Sequence, residues 1–147
     1  MLAAFVGGVH LLLLLAVLVG VLVILLASAE EISAQDLLAL KRVYALTAIA
    51  MLLLALAGTT LWFWGAKPAA FYTNNPVFHA KLGLFVLMLL LFAHNGYRVY
   101  RLSLHHSADS DAAIPLSKNL RRLQKALIPL LIAIPVLAYL MARGIGY

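Results

Sequence analysis

The chain is predicted to be all-α, a four-helix transmembrane bundle forming one integral membrane domain. Three observations carry that expectation. First, 65% of its 147 residues are hydrophobic and only 11% are charged, whereas soluble domains are roughly 45–50% apolar. Second, four stretches approach the ~20 apolar residues that a bilayer span requires. Third, the basic residues gather between spans one and two and between spans three and four. Helices are expected at about 2–29, 43–66, 77–98 and 123–142 of the sequence.

Residues 1–29 contain no Asp, Glu, Lys or Arg. Ala27-Ser28-Ala29 has the look of a cleavage site, but no basic residues precede it. The apolar run is also about twice the 7–15 residues of a signal-peptide core, so a first membrane helix is expected. Its lone His10 shares a helical face with Ala3, Gly7, Leu14, Val17 and Val21. A bare imidazole is costly in lipid, so that face should turn inward, to a hydrogen-bond partner on another helix or to a ligand.

Residues 30–42 are polar. Ser33-Ala-Gln-Asp36 has the spacing of a helix N-cap, so the second helix should start there and enter the membrane near Val43. Lys41 and Arg42 can snorkel at that boundary. Small residues Ala55, Gly58, Thr59 and Thr60 suit close helix contact. The helix ends in Trp62-Phe63-Trp64, which with Phe71, Tyr72 and Phe78 reads as an interfacial aromatic belt.

The stretch FYTNNPVFHAKLGLFV, residues 71–86, joins a turn to the third helix. Asn75 precedes proline and is biased away from helix, while Pro76 suits a first helical turn. His79, Gly83, Val86, Leu90, Ala93 and Tyr97 share one face. His94 lies roughly 22 Å from His79 along the axis, from the 1.5 Å rise per residue. Lys81 points to nearly the opposite side from His79 and reads as a phosphate or headgroup contact.

The next connection carries His105, His106, Asp109 and Asp111, which read as a solvated loop rather than a metal site. Pro115 and Ser117 open the fourth helix, basic in its first turns, and Pro129 and Pro135 should bend it. Lys41, Arg42, Arg98, Arg101, Lys118, Arg121, Arg122 and Lys125 then oppose Lys67, Lys81 and Arg143. That imbalance predicts both termini extracytoplasmic. The net charge of +6 is explained by topology and anionic lipid, with no need of nucleic acid. The absence of cysteine excludes disulfides and thiolate chemistry.

With this topology His10 and His79 fall at similar depth on different helices. Imidazole is a common axial ligand, so the pair is a candidate for one heme b, or for a copper or zinc ion. Tyr72, Asn75, Lys81 and His94 are candidate supporting or headgroup contacts.

Three features together resemble a family of small bacterial membrane proteins of unknown function. They are the 71–86 stretch, the early His10 and the closing Met141-Ala-Arg-Gly144. The chain is also distantly similar to the heme-containing membrane protoporphyrinogen oxidase family of bacteria, through His10, Lys41-Arg42-Val-Tyr44 and His79-Ala-Lys81. These resemblances imply a bacterial inner-membrane protein with heme b on His10 and His79, handling electrons with a quinone or another redox partner. The alternatives are a non-catalytic scaffold packed on a second copy or on a membrane complex, an oxidase-like enzyme, and a metal-handling protein.

Overall fold

A computed structural model describes residues 1–106 and 113–146. Its elements in order are α1 (Leu2–Ala27), β1 (Glu31–Ile32), α2 (Ala34–Trp64), α3 (Ala69–Thr73), α4 (Pro76–Ser103), β2 (Ile114–Pro115), α5 (Lys118–Lys125) and α6 (Leu127–Ala142). Four stretches are long and apolar enough to cross a membrane: Leu2–Ala27, Ala34–Trp64, Pro76–Ser103 and Lys118–Ala142. Much of the apolar surface faces outward, including Leu12, Leu46, Leu56, Leu90 and Ile132. A protein in water would not tolerate such a surface, and lipid is its natural solvent.

α1 presents Val17, Val21 and Ile24 to the interior, continuing the stripe that His10 begins. Its main partner is α2, and Gly20 lies directly against the Thr47 side chain. A methyl at Gly20 would overlap the Thr47 hydroxyl and lie 3.0 Å from Thr47 Cβ. α2 starts on the expected cap, with Asp36 N–H donating to Ser33 Oγ at 3.0 Å and Ser33 Oγ–H donating to Asp36 Oδ2 at 2.7 Å. Its 31 residues span roughly 46 Å at 1.5 Å per residue, against a hydrocarbon core of about 30 Å. Its first turns therefore stand clear of the membrane core.

The all-α expectation needs one small correction. β1 and β2 form an antiparallel two-residue ladder, Glu31 opposite Pro115 and Ile32 opposite Ile114. Leu116 N–H donates to Glu30 O at 2.8 Å, and Arg121 pairs with Glu30 at 2.8 Å. These contacts tie the α1–α2 and α4–α5 connections together at one end of the bundle. Ile32, Ile114 and Leu116 are buried there. Asp109 and Asp111 lie outside the described residues.

The fourth crossing, Lys118–Ala142, is interrupted at Ala126, one turn before Pro129, where the backbone stays right-handed at φ −66° and ψ −15°. α5 stops at Lys125 and α6 resumes at Leu127. Proline at 129 has no N–H for the Lys125 carbonyl, and its ring crowds that carbonyl, so the helix breaks one turn before the proline. Pro135 sits inside α6. α6 ends with Gly144 N–H donating to Met141 O at 3.0 Å and Ile145 N–H to Leu140 O at 3.1 Å. This is a Schellman closure, and Gly144 takes the left-handed φ of 84° that it requires.

At the inner face of α2, α4 and α5 the interior is polar. Gln124 Nε2 donates to the Tyr44 hydroxyl at 3.0 Å, and the Tyr44 ring packs on Phe92 at 5.0 Å. Asn95 is fully buried, and neither its amide nitrogen nor its oxygen has a partner among the described residues.

Candidate functional site: an apolar cavity holding an imidazole and an ammonium

α4 decides which side chains reach the interior, and it is rotated from the expected face. Phe78, Met88, Phe92, Asn95 and Val99 are buried, and Lys81 and Phe85 fall on the same stripe at three- and four-residue spacing. His79, Gly83, Val86, Leu90, Ala93 and Tyr97 are all exposed. The stripe of small residues therefore faces outward and the aromatic stripe packs. In lipid an aliphatic outer face costs nothing, so apolarity does not mark the inner face. Large rings gain most from close packing.

The rotation separates the two histidines. His79 is exposed, and its Nε2 lies 2.7 Å from the carbonyl oxygen of Thr73, at the end of α3. His10 lines a partly open cavity of about 170 Å³ at the end of the bundle where α2 finishes and α4 begins. Leu14 joins it from α1, and Leu54, Ala55, Gly58, Thr59 and Trp62 come from α2. Phe78, Lys81, Leu82 and Phe85 come from α4, and Ile134, Pro135 and Ala138 from α6. All four crossings contribute, and the lining is apolar and aromatic apart from His10, Lys81, Thr59 and Trp62.

Gly58 gives His10 its room. A methyl there would lie 3.2 Å from the imidazole Cε1 and 3.7 Å from Nδ1. The ring has the Leu54 backbone as a hydrogen-bond partner, whereas its buried Nδ1 has none among the described residues. Lys81 Nζ sits 5.3 Å from the centre of the Phe78 ring. Glu30, Glu31 and Asp36 lie at the other end of the bundle, so among the described residues no Asp or Glu side chain accompanies Lys81 at its own end. A partly desolvated ammonium without a carboxylate is an electrostatic cost that a bound acceptor would offset.

The remaining sequence candidates have structural roles. Asn75 is fully buried, where its Oδ1 accepts from Val77 N–H at 2.8 Å and caps α4. Its Nδ2 donates to Ile145 O at 3.3 Å, clamping the C-terminal turn. Tyr72 packs against Phe71 at 5.3 Å and Phe78 at 5.8 Å. His94 is exposed on α4, far from the cavity along the helix. The aromatic belt is only partly a belt. Phe63 and Trp64 face outward, while Trp62 and Phe78 meet edge-on at 4.8 Å in the cavity wall. Trp62 Nε1 donates to Thr73 Oγ1 at 3.1 Å. Lys81 was expected at a headgroup and instead lines the cavity. Its phase with Phe78 and Phe85 was the sequence signal for that placement.

The expected heme b needs His10 and His79 turned to a common space. The His10–His79 pairing is corrected, because one ring lines the cavity and the other is turned out of the bundle. The volume also argues against a macrocycle, since a cavity of about 150 Å³ accommodates a single benzene ring. The residues present do not fit a bis-histidine heme. No cluster of three or more metal-ligating side chains occurs among the described residues.

A family model described as "Predicted membrane protein (DUF2214)" matches residues 2–146. No curated protein matches the chain, and no solved structure does. The resemblance to the protoporphyrinogen oxidase family thus has no support in these comparisons.

Proposed function

This chain belongs to the DUF2214 family of predicted membrane proteins, and for it we propose an intramembrane binding function. The cavity takes one ring of a small amphiphile with an oxygen that accepts a hydrogen bond from Lys81 and, in the reduced form, a hydroxyl that donates to the free nitrogen of His10. A quinone head group is the membrane-soluble molecule that best meets this description. It is flat, it stacks on aromatic walls such as Trp62 and Phe78, and its carbonyl oxygens are acceptors. One observation carries the reading: among the described residues, an ammonium without a carboxylate and an imidazole with an unpartnered nitrogen share a largely apolar cavity built by all four crossings. An ammonium beside a quinone oxygen also favours the more negative, reduced forms of the ring, which would give the protein its place in membrane redox chemistry.

The orientation belongs to the same proposal. In a bacterial inner membrane, the basic residues concentrated near the α1–α2 and α4–α5 connections would favour that end on the cytoplasmic side. The cavity then lies in the outer half of the bilayer.

The test is a titration of the detergent-purified Trp64→Phe variant with decylubiquinone, read as quenching of Trp62. Lys81→Met removes a charge-assisted hydrogen bond of about 1.5–3 kcal/mol, so affinity should fall roughly 10- to 100-fold. His10→Ala should cost up to about tenfold in a parallel titration with decylubiquinol, whose hydroxyl can donate to the ring. His79→Ala should leave binding unchanged. Equal affinities in all four proteins would refute the proposal.

A further inference from the structure

At the opposite end of the bundle the last turns of α4 form a second, open groove of about 400 Å³, lined by Tyr97, Arg98, Arg101, Leu102 and His105. Arg98 and Arg101 share one face of α4 at three-residue spacing, and His105 follows in the turn beyond its end. Neutral hydroxyls steady the two guanidiniums. Arg98 Nη2 donates to Ser117 Oγ at 3.1 Å, and Arg101 Nη1 donates to Tyr97 Oη at 3.1 Å. The Arg101 guanidinium also lies over the Tyr97 ring at 5.9 Å. Each guanidinium has five N–H donors and spends one on these contacts. Among the described residues the ion pair is Arg121–Glu30, so neither Arg98 nor Arg101 has a carboxylate there.

We infer that this groove binds the phosphodiester of an anionic phospholipid headgroup. Two fixed guanidiniums match the fork geometry that phosphate oxygens accept. The groove sits where a spanning helix emerges from the bilayer, so a lipid phosphate is already at the right depth. Tyr97 and Leu102 supply an apolar wall for the glycerol and the first acyl carbons. A soluble anion would use the arginines and leave that wall unused, which is why a lipid is the occupant argued for.

The experiment is native mass spectrometry of the detergent-solubilised full chain, titrated with dioleoylphosphatidylglycerol and with dioleoylphosphatidylcholine. The wild type should prefer the anionic lipid. Arg98→Gln/Arg101→Gln should lose about tenfold or more of that preference, from the contribution of each basic residue near a membrane surface. A charge-matched control, Lys118→Gln/Arg122→Gln, should keep most of it, and Asp109→Asn/Asp111→Asn should not lower it. Added inorganic phosphate should not displace the lipid. An equal loss in both charge-reduced variants would overturn the inference, because the effect would then be diffuse. Displacement by inorganic phosphate would also overturn it, because the groove would then be a site for free anions.

Discussion

Gly58 offers the sharpest test of how the cavity is made. In Gly58→Ala the new methyl would lie 3.2 Å from His10 Cε1, inside the ~3.5–4.0 Å of ordinary carbon contact. The imidazole must therefore move by a few tenths of an ångström. It borders open space, so the overpacking cost should sit near the low end of the usual 1–3 kcal/mol. Alanine meanwhile gains about 1 kcal/mol over glycine in helix propensity. The two effects nearly cancel, and net stability should change by less than about 1 kcal/mol. Gly20→Ala is the contrasting case. Its methyl would meet Thr47 Cβ at 3.0 Å and the hydroxyl closer still. Rotating Thr47 cannot relieve that contact, so α1 and α2 must part, and the net loss should be about 1–2 kcal/mol. Thermal unfolding in detergent reads both variants. Decylubiquinol titration should show Gly58→Ala weakened about fivefold, since one hydrogen bond worth about 1 kcal/mol is displaced. If Gly58→Ala loses as much stability as Gly20→Ala, or binds quinol unchanged, the packing argument fails.

Three further outcomes follow from the same structure. The Gly20→Ala defect should be partly restored in Gly20→Ala/Thr47→Ala, which removes the Thr47 hydroxyl and methyl but keeps its Cβ, giving a coupling energy above about 0.5 kcal/mol in a double-mutant cycle of melting curves. Asn95→Leu removes a fully buried amide with no hydrogen-bond partner among the described residues, so it should raise stability by about 1–3 kcal/mol; a loss of similar size would show that bound water satisfies the amide. Gly146→Ala would force a methyl to within 2.6 Å of Asn75 Oδ1 and 2.8 Å of Val77 Cγ2 at a φ of 89°. It should unseat the C-terminal turn from the start of α4, read as faster amide exchange at Val77.

The elements were largely legible because each had a local cause. The charge-free runs gave the crossings, Ser33 gave the start of α2, and Asn75-Pro76 gave the start of α4. The His10 stripe was also readable, since Val17 and Val21 are buried as its spacing required. Rotation of α4 was not. Two stripes, one from Phe78 and one from His79, were both apolar enough for lipid, and hydropathy cannot choose between them. Ring size does choose, because Phe78, Phe85 and Phe92 fill space that Gly83, Val86 and Ala93 would leave empty. That choice exchanged His79 for Lys81 in the candidate site. The contact of Asn75 with Ile145 and the β1–β2 ladder join residues far apart in sequence. Neither leaves a local pattern to read.

The binding proposal stands or falls on where a quinone touches the chain, and photolabelling with an azidoquinone followed by peptide mapping reports that directly. Labels on cavity residues such as Leu14, Ala55, Trp62, Leu82 and Ile134, lost in Lys81→Met, are the expected result. Labels confined to the outward stripe at Val86 and Leu90, unaffected by Lys81→Met, would contradict it.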